Sequence, residues 1–386
     1  MLGNFTFETP TRVHFGKFAL LKLKNELRKY GKKILLIYGG GSIKENGIYD
    51  RVIEILKKEG NVWNELGGVS SNPTSDLLQK AIKLIGTQPI DLILAIGGGS
   101  VCDFAKAVSV AKECSQDPWK TYFLQREEPT KVIPVGCIST IAGTGSEIDS
   151  TAVIMGSQSR RKIGRVFSAE VAPRFAIINP EFSFSVPKTY MVSGIFDVMT
   201  HVMENYFSGD DDCTSDYLAE GLMRSLIYSS RLALDNPTNY EARSNISWCA
   251  LLAMSGIIST GKEGDWKLHM IGHAVNAVSD APHGMTLSAI AIPYYRWATH
   301  GNIFKFARFA QNVWNVPANG ALEEQAQQGL LALEDWMKEL GMALHLSDLG
   351  IQEKDLDAIC NAVITTRGGY DIITVEELRE ILKCSL

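Results

Sequence analysis

The residue types able to hold a metal ion or move a proton gather in two short stretches. HMIGHAVNAVSDAPHG, residues 269–284, contains three of the seven histidines in the 386-residue chain. His269 and His273 are four apart, and His283 follows Pro282, which sets it at the start of the next helix or the end of the connecting loop. Upstream, SGIFDVMTHVMENYF (193–207) separates Asp197 from His201 by the same four positions. Residues at i and i+4 share a helix face. Two helices can therefore converge with one carboxylate and two or three imidazoles. Oxygen and nitrogen donors without a thiolate suit Zn²⁺ or Fe²⁺. HMIGH lacks the glutamate of HExxH, which excludes the zinc-protease pattern. Spacing alone leaves open which two of the three histidines bind, and an amphipathic helix also carries such pairs as satisfied, half-buried residues. His14, His300 and His345 have no partner pattern and read as structural.

Three glycine-bearing turns could face a nucleotide. DLILAIGGGSVCDFAKA places Gly97, Gly98, Gly99 and Ser100 between a buried strand and a helix. Glycines admit a ligand close to the backbone, and the helix end offers free N–H groups, so a pyrophosphate fits there. Asp103 lies in the first helical turn, also a good structural place for an acid. The turn is not GxGxxG. ILLIYGGGSIKENG ends its strand on Gly39, Gly40, Gly41 and Ser42, with Lys44 next, and carries no acid there for a ribose 2′-hydroxyl. Backbone N–H groups, a hydroxyl and a cation favour a 2′-phosphate, hence NADP(H). STIAGTGSE (139–147), rich in small and hydroxyl residues, can line an adenosine or phosphate groove.

The elements that must carry these residues follow two patterns. Up to about residue 180, short apolar runs (32–38, 61–66, 91–96, 131–136, 175–180) alternate with helical periodicity (47–58, 74–86, and after the second GGGS through Lys112). That predicts a doubly wound parallel sheet. Residues 153–167 read as a hairpin. From Pro187 on, the pattern is helical: 187–207, 214–234, 240–260, 266–279, 284–299, 303–314, 322–340, 353–364 and 375–383. The expected fold is α/β plus all-α, a Rossmann-like dinucleotide domain over 1–183 and a helical metal-binding domain over 184–386. A net charge of −5 without a Lys/Arg block argues against nucleic acid or an anionic membrane as partner. No apolar run reaches membrane-spanning length and no signal peptide opens the chain. Seven scattered cysteines without CxxC fit a reducing cytoplasm.

At this point a family likeness stands out. PKTYMVSGIFDVMTHVMENYF and HMIGHAVNAVSDAPHG resemble the two signatures of the iron-containing (group III) alcohol dehydrogenases, in order. AIGGGSVCD and STIAGTGSE resemble their cofactor loops. PTRVHFGK and YGGGSIKENG look like the branch of NADPH-dependent butanol dehydrogenases and aldehyde reductases. The likeness runs from residue 4 to the C-terminus. It implies metal ligands at Asp197, His201, His269 and His283, with His273 the non-ligand histidine near nicotinamide and substrate. It implies a pyrophosphate loop at Gly97, Gly98, Gly99 and Ser100, Asp103 on the nicotinamide side, and Thr140 and Thr144 in the adenosine groove. Gly40, Gly41 and Ser42 match the 2′-phosphate region, and Lys162 a cofactor-side lysine. The implied reaction is reversible hydride transfer between NADP(H) and short-chain aldehydes or primary alcohols, with one divalent ion, Fe or Zn. His273, or a water chain ending near it, is the implied proton relay, and a cytoplasmic homodimer is expected. The rivals are an NAD-dependent glycerol-type dehydrogenase or a dehydroquinate-synthase-like lyase of the same fold, and a catalytically silent nucleotide-binding protein. One departure is Asn179-Pro180, where the family usually has an acid before the proline.

Overall fold

Apolar runs stopped by glycine build the first unit of the computed structural model, which describes residues 4–86, 88–209, 213–364 and 366–386. Thr9–Val186 forms one unit, and Pro187–Leu386 with residues 4–8 forms the other. The division therefore falls at Pro187 rather than at 183/184, and residues 4–8 go with the helices. They line a groove with Ser255, Gly256 and residues 259–263. This short segment has no regular element of its own, so tertiary contact rather than local pattern assigns it.

The first unit contains β1 (Arg12–Phe15), β2 (Lys33–Tyr38), β3 (Val62–Leu66), β4 (Leu92–Gly97), β5 (Val135–Ser139), β6 (Thr151–Met155), β7 (Lys162–Val166) and β8 (Phe175–Ile178). Six strands make a parallel sheet in the order β1-β8-β5-β4-β2-β3. The inner strands β4, β5 and β8 are buried throughout, as continuous apolar runs covered on both faces should be. The edge strand β1 was not expected. RVHF is half exposed, and so short an edge strand carries no strong apolar period. The expected strand 131–136 begins only at Val135, because Pro134 has no N–H for the ladder. The Pro134 carbonyl still accepts from Ile93 N at 2.9 Å. β6 and β7 pair antiparallel as the hairpin. Asn179 caps the turn after β8: its Oδ1 accepts from Glu181 N and its Nδ2 donates to Lys17 O.

The chain runs from β2 outward to β3, then returns to β4 on the other side of β2. A ligand crevice opens at the carboxyl ends of the strands where such a sheet reverses. The Gly39–Ser42 turn ends β2 and the Gly97–Ser100 turn follows β4, so both flank that point.

The second unit is helical: Lys188–Tyr206, Cys213–Asp235, Tyr240–Met254, Lys267–Asn276, His283–Ala298, Ile303–Trp314, Leu322–Leu340, Leu356–Ala362 and Val375–Cys384. The expected helix 240–260 stops at Met254, just before Gly256 with φ 84°, a backbone that ends a helix. Lys188–Tyr206 is buried continuously from Met191 to Tyr206. A helix buried all round must satisfy its polar residues internally, and this one carries Asp197, Thr200, His201, Glu204 and Asn205. No described helix is long and apolar enough to cross a membrane.

Candidate metal centre and cofactor turns

Three helices bring the ionisable residues together. Lys188–Tyr206 carries Asp197 and His201, Lys267–Asn276 carries His269 and His273, and His283 opens the helix His283–Ala298. Close approach is built in at Gly284. An added Cβ there would stand 2.0 Å from the Ser193 carbonyl oxygen, while Gly284 N donates to Ser193 Oγ at 2.9 Å. The start of the third helix is thus pressed onto the first, four residues before Asp197.

Asp197, His269 and His283 each offer one ligand atom, all within 4.8 Å of one another. Asp197 Oδ1 is 3.4 Å from His269 Nε2 and 3.9 Å from His283 Nε2. His201 Nε2 approaches the same oxygen to 3.7 Å, and its ring stacks on His269 with centroids 4.6 Å apart. Asp197, His201 and His269 are buried, and His283 is partly exposed. His273 is buried with its ring centroid 5.1 Å from that of His283; neither it nor His201 is part of the three-donor group.

The outward nitrogens have partners that sequence reasoning missed. His269 Nδ1 pairs with Glu204, which is fully buried. Asn276 Oδ1 lies 3.3 Å from His283 Nδ1, and Asn276 Nδ2 donates to the Ala281 carbonyl at 3.0 Å. Such partners set the tautomer and aim Nε2 inward. The available signal was spacing. Glu204 is i+3 from His201 and i+7 from Asp197, and Asn276 is i+3 from His273 and i+7 from His269. Both lie on the same helix faces as the histidines.

The donor set fits a divalent ion. His269 Nε2 is buried and makes no hydrogen bond, although it faces a carboxylate. Burial opposes charge on His269, but Glu204 and Asp197 outweigh it and push the imidazole up to about 10. The centre therefore calls for positive charge, and a metal ion can supply it by displacing that proton. Asp197, His201, His269 and His283 could hold such an ion, three nitrogens and one oxygen in character.

In the sheet unit, Gly97–Ser100 and the segment after β5 pack as one surface. Thr140 N donates to Gly97 O at 3.0 Å. An added Cβ at Gly99 would stand 2.2 Å from Thr144 Oγ1, so only glycine lets this turn lie against Thr144. Ser100 Oγ donates to Ser71 O at 2.6 Å. Asp103 is buried and accepts from Ser146 Oγ at 2.5 Å. Burial is the main cause that lifts its carboxyl to about 6, against the nearby Lys106. Lys162 opens β7 opposite Met155. An added Cβ at Gly40 or Gly41 would meet nothing within 4 Å, and Ser42 begins a short helix after Gly41. Lys44 Nζ lies 4.8 Å from the ring centres of both Tyr38 and Tyr49 and 3.9 Å from Glu65. Glu65, an acid not singled out from the sequence, accepts from Tyr38, Tyr49 and Trp63.

Comparison with known proteins agrees with this arrangement. Residues 10–180 match the family model for iron-containing alcohol dehydrogenase, and 191–386 match the C-terminal model of the Fe-containing alcohol dehydrogenase family. The chain is 35% identical to NADH-dependent butanol dehydrogenase B of Clostridium acetobutylicum, over 98% of its own length and 96% of that protein. It is 32% identical to the NADPH-dependent aldehyde reductase YqhD of Escherichia coli, over 100% of both. The crystal structure of NADH-dependent butanol dehydrogenase A from Thermotoga maritima matches with TM-score 0.95 at 33% identity, covering 100% of this chain and 99% of that one. The chain belongs to the iron-containing alcohol dehydrogenase family.

Proposed function

We propose that the protein catalyses reversible hydride transfer between NADP(H) and a short-chain aldehyde or primary alcohol, with one divalent ion, Fe²⁺ or Zn²⁺, held by Asp197, His201, His269 and His283. The observation that carries this reading is the convergence of Asp197, His269 and His283, with Glu204 and Asn276 behind the two imidazoles. When bound, the ion would supply Lewis-acid polarisation of the substrate oxygen and the nicotinamide would supply the hydride chemistry. Glu204 keeps the proton of His269 on Nδ1, so that Nε2 faces inward. The Gly97–Ser100 turn presents backbone N–H groups and a helix end to the pyrophosphate. Thr140 and Thr144 line the adenosine side, Asp103 the nicotinamide side, and Lys162 lies toward the cofactor. His273, or a water chain ending near it, delivers the proton that the product oxygen requires on reduction.

The open backbone at Gly40 and Gly41, with Ser42 and Lys44 beside it, supports recognition of a 2′-phosphate. Glu65, the acid beside Lys44, is occupied by three donors. The six free cysteines among the described residues support a reducing, cytoplasmic setting. A homodimer rests on the family resemblance.

The first experiment compares initial rates with butanal and NADPH or NADH. We expect NADPH to be preferred by roughly tenfold or more, about 1.4 kcal/mol for the 2′-phosphate contacts. A preference for NADH removes the 2′-phosphate reading. In parallel, His273→Ala should slow reduction roughly 100-fold with metal content unchanged. Unchanged turnover and pH profile remove the relay.

A further inference from the structure

Trp266 immediately precedes the helix that carries His269 and His273, and its backbone is left-handed, with φ 57° and ψ 4°. For a bulky side chain this is a true outlier, and such strain persists only where the surroundings impose it. Here they impose it from both sides. Asp265 N donates to the Glu204 carbonyl at 2.9 Å. The Asp265 carboxylate accepts from Lys267 Nζ at 2.7 Å and from the Tyr294 hydroxyl. Thr366 Oγ1 donates to the Asp265 carbonyl at 2.7 Å, and Lys267 Nζ also donates to the Gly368 carbonyl. The two neighbours of Trp266 are thereby tied to the helices of Glu204 and Tyr294 and to the 366–368 segment.

The imposed backbone places the indole against two imidazoles at once. Its ring centre is 5.4 Å from that of His269, at 66°, and 5.9 Å from that of His201, at 55°. Gly264 leaves the room it needs, because an added Cβ there would stand 2.5 Å from Trp266 Nε1. The indole also borders a cavity of about 430 Å³, shared with Asn205, Met254, Ser259 and Thr366. A smaller side chain at 266 would extend that space toward His201 and His269 and give the two rings rotational room.

We propose that Trp266 is a positioning residue. Its clamped, left-handed backbone aims the indole at His201 and His269 and holds both ring planes so that their Nε2 atoms face Asp197. The proposal rests on reading these residues as metal ligands, and its test separates the two.

The full chain, stripped of metal, is titrated with Co²⁺ and followed by the visible absorption of the bound ion and by melting temperature. Trp266→Leu and Trp266→Phe keep the same strained backbone and differ in whether a ring stands against the imidazoles. Trp266→Leu should bind Co²⁺ about 10- to 100-fold more weakly, with shifted absorption bands. Trp266→Phe should recover most of the affinity and the bands, while the two metal-free variants melt alike. Wild-type binding and spectrum in Trp266→Leu overturn the proposal. Equal weakening in both variants, together with equally lowered metal-free melting, also overturns it by making Trp266 a stability residue alone. If His269→Ala loses the ion while Trp266→Leu keeps it, the ligand set stands and only the positioning role fails. If His269→Ala binds as the wild type does, the ligand set itself is wrong and the positioning role falls with it.

Discussion

Glu204 shows how much one side chain outside the donor set can control. It is fully buried, pairs with His269 Nδ1 and also accepts from His269 N at 3.2 Å. A carboxylate there orients the imidazole and makes it a better donor. Glu204→Gln keeps an acceptor but removes the charge. Metal affinity should fall by roughly tenfold, measured by competition with a chelator, while the fold persists. Unchanged affinity would mean that Glu204 only fills space. The resemblance pointed to four ligands, and helical spacing could have pointed to Glu204 as well. Its role stayed hidden because a Glu on a helix is ordinarily solvated, and only burial turns it into an orienting group.

At the scale of elements, the centre depends on how tightly three helices approach. Gly284 is the contact where no side chain fits, since a Cβ would meet backbone rather than a flexible side-chain end. Gly284→Ala must push the His283–Ala298 helix away from Lys188–Tyr206. Overpacking of this kind costs about 1–3 kcal/mol. We expect a lower melting temperature and a metal-to-protein ratio well below that of the wild type after identical loading. A variant with normal melting and full metal content would show that this helix pair has slack. Most elements were legible in the sequence, because periods of two and 3.6 residues are local properties. The edge strand β1 and the late start of β5 were not. β1 gains its regularity from pairing with β8, and β5 is delayed by the missing N–H of Pro134.

For the whole molecule, buried acids set the response to pH. Glu147 is buried, and burial is the main cause that lifts its carboxyl to about 7 from 4.5. Burial likewise lifts Asp103 and Asp265 to about 6. A raised acid stabilises the fold while it is neutral. That contribution is complete below the unfolded value and is lost as pH rises through the folded one. For Glu147 the loss spans the interval from 4.5 to about 7 and amounts to about 3 kcal/mol at most. Glu147→Gln cannot ionise. Relative to the wild type, the metal-free variant should therefore gain melting temperature steadily across that interval and then level off. A difference that does not change with pH would show that Glu147 titrates normally.

Local periodicity was enough to divide the chain into a sheet half and a helical half, to put Asp197 with His201 and His269 with His273 on shared helix faces, and to mark the glycine turns. Those are properties of residues within a turn or two of each other, which the backbone repeat sets before any packing. Which donors meet is a different matter. Asp197 and His269 are separated by 72 positions, and their 3.4 Å approach depends on packing between helices that share no local pattern. The same packing holds Trp266 in a backbone conformation its own side chain disfavours, and turns Glu204 and Asn276 toward the imidazoles. Only the tertiary structure decides these features, because each is an energy shared among segments far apart in the chain.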